Sequence, residues 1–338
     1  MILLDSHNTI LLDMLQTRLA GDRADSLKLQ IADFDGAKFY AATESDNKAV
    51  VHVSLALRCY AELAALGANE FLASIYGDML QATPDNGYDV TLRIDLDAVA
   101  ASPDLTERVL TDVPLLKRHA MAALFHKAFV AHAEKQASDV FALHYRDGEA
   151  FYVQAQPDRV TVIFATQFKE ETDRVFAKVF LQEFVDARRQ ASCQNAPAVL
   201  YSARDPPLEL RGLPDVPEGD SVGYVTFILF PRHLADAATR EATISRIQLF
   251  RDFLHYHIKC SKAYMHSRMR ARVDSFLKVL NRAKPELPNA EKKTARYASY
   301  GSVGGRLYAG DEVRGRPLVA ATGGGAAGLR GARPGAGG

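Results

Sequence analysis

Four residues in one short stretch, His255, His257, Cys260 and His266, are of the types that ligate zinc or drive nucleophilic catalysis. If the stretch is helical, His257 and Cys260 share a face, but His266 points well away from both. Structural zinc needs four converging ligands, and no second ligand pair lies nearby. The expectation is therefore no metal, with His257 packed in an apolar seam and His255 near Asp252 one turn back. Gly323-x-Gly325-x-x-Gly328 has the spacing of a dinucleotide fingerprint, yet only ten residues follow it and no βαβ unit can form. The chain carries no P-loop, nucleophile elbow or kinase signature. No catalytic residue and no cofactor are expected, and an enzyme built on His257 and Cys260 ranks below the binding functions considered next.

The remaining chemistry is charge. Lys plus Arg and Asp plus Glu are 41 each, so the net charge is zero. Between Lys259 and Lys284, however, eight basic residues (Lys259, Lys262, Arg268, Arg270, Arg272, Lys278, Arg282 and Lys284) face a single acid, Asp274. Arg188-Arg189 is a second basic pair. Such residues read equally as a solvated helix face, rich in cations where the macrodipole favours them, or as a docking surface for an acidic partner. Nucleic acid is disfavoured as that partner, because the whole chain is neutral and shows no recognised nucleic-acid-binding pattern. Cys59, Cys193 and Cys260 are widely spaced with no CxxC pair, which suits reduced thiols and a cytoplasmic address. Met1 to Asp5 lacks a basic signal-peptide start, and the apolar run at 222–230 is too short to cross a bilayer. No membrane insertion is expected.

The elements that must position these residues can be read from periodicity. The first half gives a helix at 5–19, strands at 26–33, 37–42 and 49–57, a helix at 58–76 and a strand at 88–96. The second half gives a helix at 112–135, strands at 139–145, 149–154 and 159–166, a helix at 171–189, and strands at 199–202 and 221–230. Asp35-Gly36 and Asp147-Gly148 occupy the same hairpin place in each half. The fold class is α/β of the α+β type: two similar domains, 1–111 and 112–235, with largely antiparallel sheets. A long basic amphipathic helix at 236–285 follows, then a flexible Gly/Ala/Arg-rich tail at 286–338. Ile244, Ile247, Phe250, Leu254, Ile258, Met265, Met269, Val273, Phe276 and Leu280 recur at three- and four-residue steps along that helix. At 1.5 Å per residue it reaches roughly 65–70 Å, more than one small domain can cover. Phe250, Leu254, Ile258, Met265, Met269, Val273, Phe276 and Leu280 are therefore expected to form a seam with a partner helix.

Several colinear stretches resemble one family. They include Ala32-Asp33-Phe34-Asp35-Gly36, His144-Tyr145-Arg146-Asp147, Asp158-Arg159-Val160-Thr161-Val162 and Pro206-Pro207-Leu208-Glu209-Leu210. Leu229-Phe230-Pro231-Arg232-His233 follows, and then a near-continuous run from Phe250-Arg251-Asp252 to Asn281-Arg282-Ala283. Together, from residue 1 to about 293, the chain resembles the subunit 2 family of the actin-related protein 2/3 complex, that complex's largest scaffold subunits. The resemblance implies two related α/β domains and a long C-terminal helix pairing with subunit 4. It also implies assembly with the other subunits, both actin-related proteins among them, and contact with the side of an actin filament during branched nucleation in the cytoplasmic actin cytoskeleton. On resemblance plus charge, filament contact is assigned to Arg188, Arg189, Arg268, Arg270, Arg272, Lys278 and Arg282. The alternative is a basic-helix module for RNA or acidic lipid. The Gly/Ala/Arg-rich extension departs from the family pattern, so no contact is carried over to it.

Overall fold

The computed structural model of the chain describes residues 4–21 and 25–283, so the tail expected at 286–338 lies outside the described residues. Contacts divide the chain into a unit of residues 1–277 and a second of residues 278–338, the latter described only for the end of a helix.

The first unit opens with α1 (Thr9–Leu19), capped by Asn8, whose side chain accepts a bond from Leu11 N at 3.1 Å. Strands β1 (Lys28–Ala32), β2 (Lys38–Thr43) and β3 (Val50–Ala56) follow. The β1–β2 turn places Asp35 and Gly36 at φ 63° and 71°, the left-handed backbone that Asp and Gly tolerate. The helix expected at 58–76 is two helices, α2 (Tyr60–Ala65) and α3 (Ala68–Tyr76), because Gly67 at φ 94° breaks the run. After β4 (Val90–Asp95) come two short helices that periodicity did not reveal, α4 (Leu96–Ala100) and α5 (Pro103–Asp112). Ser102 and Pro103 start α5 in the manner of a cap followed by proline at the first turn.

Next come α6 (Leu116–Ala133), β5 (Phe141–Arg146), β6 (Glu149–Ala155) and β7 (Val160–Gln167). The chain continues through α7 (Glu171–Ala187), β8 (Ala198–Ala203), β9 (Val222–Leu229) and α8 (Ala237–Arg282). The four-stranded sheet runs β1-β2-β3-β4, and the five-stranded sheet runs β5-β6-β7-β9-β8, with every pairing antiparallel. The fold is thus α+β with two antiparallel sheets and a long C-terminal helix. Among the described residues, no helix is long and apolar enough to cross a membrane.

The core centres on α6. Eleven of its eighteen residues are buried, far more than the single stripe of a surface helix, so neighbours must cover several of its faces. It packs on α2 and α3 on one side and on β6 and β7 on the other. Ala120, Ala122, Ala123 and Ala128 let these neighbours approach, while Leu116, Leu124 and Phe125 fill the space between. One apolar cluster therefore runs from α1 and the first sheet through α6 to the second sheet and the first half of α8. Leu124 is 0% exposed at its middle. Leu124→Ala should cost about 2–5 kcal/mol, read as a lowered denaturant midpoint with little change of slope.

Candidate interaction surface

The first half of α8 is seated by charge as much as by apolar contact. Near its start, the buried Arg118 guanidinium donates to Glu241 Oε2 (2.5 Å), to the Glu241 carbonyl (2.8 Å) and to Ser245 Oγ (3.1 Å). His126 Nε2 lies 3.0 Å from the other Glu241 oxygen. The close approach of His126, helped by Arg118, holds the Glu241 carboxyl down at about 2 against the effect of burial. Phe250 then inserts among Phe227, Phe164 and Phe184, at centroid distances of 4.7, 5.6 and 6.2 Å.

The next residue, Arg251, grips Glu149 through two hydrogen bonds, Nε to Oε2 at 2.9 Å and Nη2 to Oε1 at 3.0 Å. Glu149 is 4% exposed and also accepts from Gln167 N, so the buried charge is paired and its acceptors are filled. Burial pushes the neighbouring Asp252 carboxyl up to about 6, with Asp35 adding to the rise. Burial likewise lowers His255 to about 4, its ring stacked on Phe168 at 5.6 Å. The seat ends where Lys259 and Lys262 each reach Asp173 at 2.6 Å and also Glu170, fastening α8 to the start of α7.

Beyond Lys262, every residue from Ala263 to Leu277 is exposed. This divides the seam expected from the sequence. Phe250, Leu254 and Ile258 are 9%, 0% and 2% exposed and belong to the chain's own core, which is a correction to that expectation. Their partners are the second sheet and α7, which the helical period alone could not reveal. Met265, Met269, Val273 and Phe276 are 48–62% exposed and form a continuous stripe in water. Leu280, with Lys278 and Arg282, lies in the second unit and is also exposed.

The basic residues are not one patch. Arg268 donates to Tyr264 OH at 2.8 Å and lies over its ring, and Arg270 and Arg272 are exposed nearby. At 100° per residue, Arg268 and Arg272 line one flank of the apolar stripe and Arg270 the other. Arg188 caps the end of α7, and the exposed Arg189 reaches Asp186 at 3.5 Å. Because Asp173 faces Lys259 and Lys262 while Phe184 faces Phe250, α7 and α8 run antiparallel. Arg188 and Arg189 therefore leave at the opposite end from Arg268, on the order of 35 Å away by helical rise. Lys259 and Lys262, counted with the basic run in the sequence, are engaged in the chain's own ion pairs.

His257 stacks on Phe180 (5.6 Å) and Phe253 (6.2 Å), while Cys260 and His266 are exposed. Among the described residues, no three His, Cys, Asp or Glu side chains converge as a metal site. The acids that seat α8, Glu149, Glu170 and Asp173, escaped the sequence reading because each lies more than 80 residues from its partner. Their only local signal is a charge in or beside an apolar run.

Comparison with known proteins adds a finding of its own. The family model for the Arp2/3 complex 34 kD subunit, p34-Arc, matches residues 53–287. The chain is 44% identical over 318 residues to "Actin-related protein 2/3 complex subunit 2" of Schizosaccharomyces pombe, covering 89% of this chain and 99% of that protein. It is 45% identical over 296 residues to the protein of the same name from Dictyostelium discoideum, covering 87% and 97% respectively.

Glu149→Gln should leave the buried Arg251 with only Asp252, 3.4 Å away, as a carboxylate partner and cost about 3 kcal/mol in denaturant unfolding. Stability should also depend on acid through two opposed groups. His255, held near 4, resists a proton that the unfolded chain accepts below about 6.5, so its contribution is lost as pH falls from 6.5 to 4. Asp252, raised to about 6, takes up a proton earlier than the unfolded chain and offsets part of that loss between 6 and 3.8. In melting curves across this window, His255→Gln should flatten the acid decline and Asp252→Asn should steepen it.

Proposed function

We propose that this chain, which belongs to the family of the Arp2/3 complex 34 kD subunit (p34-Arc), acts as a non-catalytic scaffold subunit of that complex. In this reading it pairs with subunit 4, clamps the two actin-related proteins with the other subunits, and contacts the side of an actin filament. Its place is the cytoplasmic actin cytoskeleton, with neither nucleic acid nor membrane insertion in its role. Residues 1–111 and 112–235 act as two similar domains carrying the long helix.

The observation that carries the reading is the stripe Met265, Met269, Val273 and Phe276, exposed on a helix whose preceding turns are firmly seated. Four large apolar side chains in one line on a bare helix are unfavourable in water and suit a second helix laid along them. The seam of this proposal is therefore those four residues with Leu280, and Phe250, Leu254 and Ile258 serve only to seat the helix. Arg268 and Arg272 on one flank and Arg270 on the other would remain accessible beside such a partner. They supply one filament contact, and Arg188 with Arg189 supplies a second, with Lys278 and Arg282 included on charge. Two separated basic patches suit a long acidic surface better than a point ligand. The benefit of scaffolding is entropic: holding two actin-like subunits together makes an encounter intramolecular that otherwise costs translational and rotational freedom.

Two variants separate the parts of this reading. Met269→Asp with Phe276→Asp should abolish recovery of the small partner subunit when the tagged chain is purified from its own cells. Arg268→Glu, Arg270→Glu and Arg272→Glu together should leave the complex intact and weaken filament co-sedimentation at least several-fold, an effect that shrinks as salt rises. Full recovery of partners in the first variant, or filament binding independent of salt and charge in the second, would refute the corresponding assignment. Recovery with RNA or anionic lipid instead would favour the basic-helix module.

A further inference from the structure

A cleft of about 600 Å³ lies among the β1–β2 turn, the end of β5, the start of α7 and the seated part of α8. Its walls include ion pairs that seat α8, but none of the exposed stripe from Met265 to Phe276 lines it. Tyr145 lines it at 3% exposure, and its buried hydroxyl has no hydrogen-bond partner. His255 lines it too, with a buried Nε2 that is also unpartnered; the Glu149 carboxylate, at 3.9 Å, is beyond hydrogen-bonding reach. Buried polar atoms without partners are rare, and two in one cleft point to something that binds there. The β5–β6 register shifts between Leu143 and Arg146, and the successive residues Tyr145 and Arg146 both line the cleft instead of alternating.

The carboxylates of the lining are already engaged. Asp35 is held by Arg146 and Lys117, Asp147 by Arg58, Glu149 by Arg251, and Glu170 and Asp173 by Lys259 and Lys262. What remains uncommitted is mostly donors. Among the described residues Arg146 bonds through its Nε alone, to Asp35 Oδ1 at 2.9 Å, which leaves both terminal nitrogens. Lys169 stands on the rim, one residue before Glu170 at the N-cap of α7, and that N-cap gives no side-chain bond to the first-turn amides. At the start of α7, Glu170 and Asp173 offset the positive helix end and are in turn neutralised by Lys259 and Lys262.

We propose that this cleft binds a small phosphate monoester. Donors at the end of β5, Tyr145 and Arg146, and Lys169 just before α7 approach from different sides, which fits the three terminal oxygens of a tetrahedral phosphate better than the two of a planar carboxylate. The volume exceeds that of a phosphate group, so room remains for a small organic remainder. Tyr145 O–H and the Arg146 terminal nitrogens donate to the phosphate in the floor, and Lys169 closes over it.

The test is binding of glycerol 3-phosphate to the purified full-length chain, together with any subunits that accompany it, by calorimetry at fixed ionic strength. Glycerol and sodium acetate serve as controls. The expected result is saturable binding of the ester alone, weakened about ten-fold by Arg146→Gln and at least three-fold by Tyr145→Phe and by Lys169→Gln. Tyr145→Phe removes a hydroxyl with no partner among the described residues, so its unfolding midpoint should be no lower than that of the parent. Failure to saturate, or equal affinity in the parent and all three variants, would overturn the proposal; the latter outcome would mark an adventitious ion only.

Discussion

The paired charges that seat α8 are the constraint on which the rest of the structure depends. A helix can present an apolar stripe to water over several turns only if its preceding turns are fixed, and here they are fixed by Glu241 on Arg118, Arg251 on Glu149, and Lys259 with Lys262 on Asp173. Pairs as buried as Arg251 and Glu149 add little net stability over an apolar substitute, because desolvation consumes most of the attraction. Their effect is on register. Leu or Phe at those places could slide by a turn, whereas Arg251 meets Glu149 in one position only. The residues that follow Lys262 therefore emerge with a defined face, and that face carries Met265, Met269, Val273 and Phe276.

The seat in turn needs a body that joins both sheets, and α6 supplies it. Its burial on several faces makes one apolar cluster of what could have been two, and Arg118 on the same helix reaches out to α8. Packing and docking are thus coupled: a change in α6 that loosens the core also displaces the partner of Glu241. Asp35 completes the link, since the β1–β2 turn that Asp35-Gly36 permits brings its carboxylate to Arg146 of β5 and Lys117 of α6.

Much of this was legible in the sequence because it is local. The Asp-Gly turns, the strand alternation and the helical period from Ile244 onward are set by residues within a few positions of one another. The break at Gly67 was less so, since glycine inside a helical pattern is often tolerated, and the five-residue α4 is too short to show a period. That the far half of the long stripe outruns the body follows from its length, but where the buried half ends could not be read. Phe250 and Met269 look alike in the pattern, and only the distant Phe164, Phe227 and Phe184 decide that the first is core. The same holds for charge. Lys262 and Arg270 are both basic residues of one run, but Asp173, 89 residues back, captures the first and leaves the second exposed.

The central claim is that one face of residues 263–277 is bare in this chain and covered by a helix of another. A photo-reactive amino acid placed at Met269 in the tagged protein, activated in its own cells, tests it directly. The account predicts a single dominant cross-link to one small subunit of the complex, while the same probe at Leu254 cross-links only within the chain. Cross-linking from Met269 back to this chain, or to no protein while Leu254 captures another subunit, would contradict it.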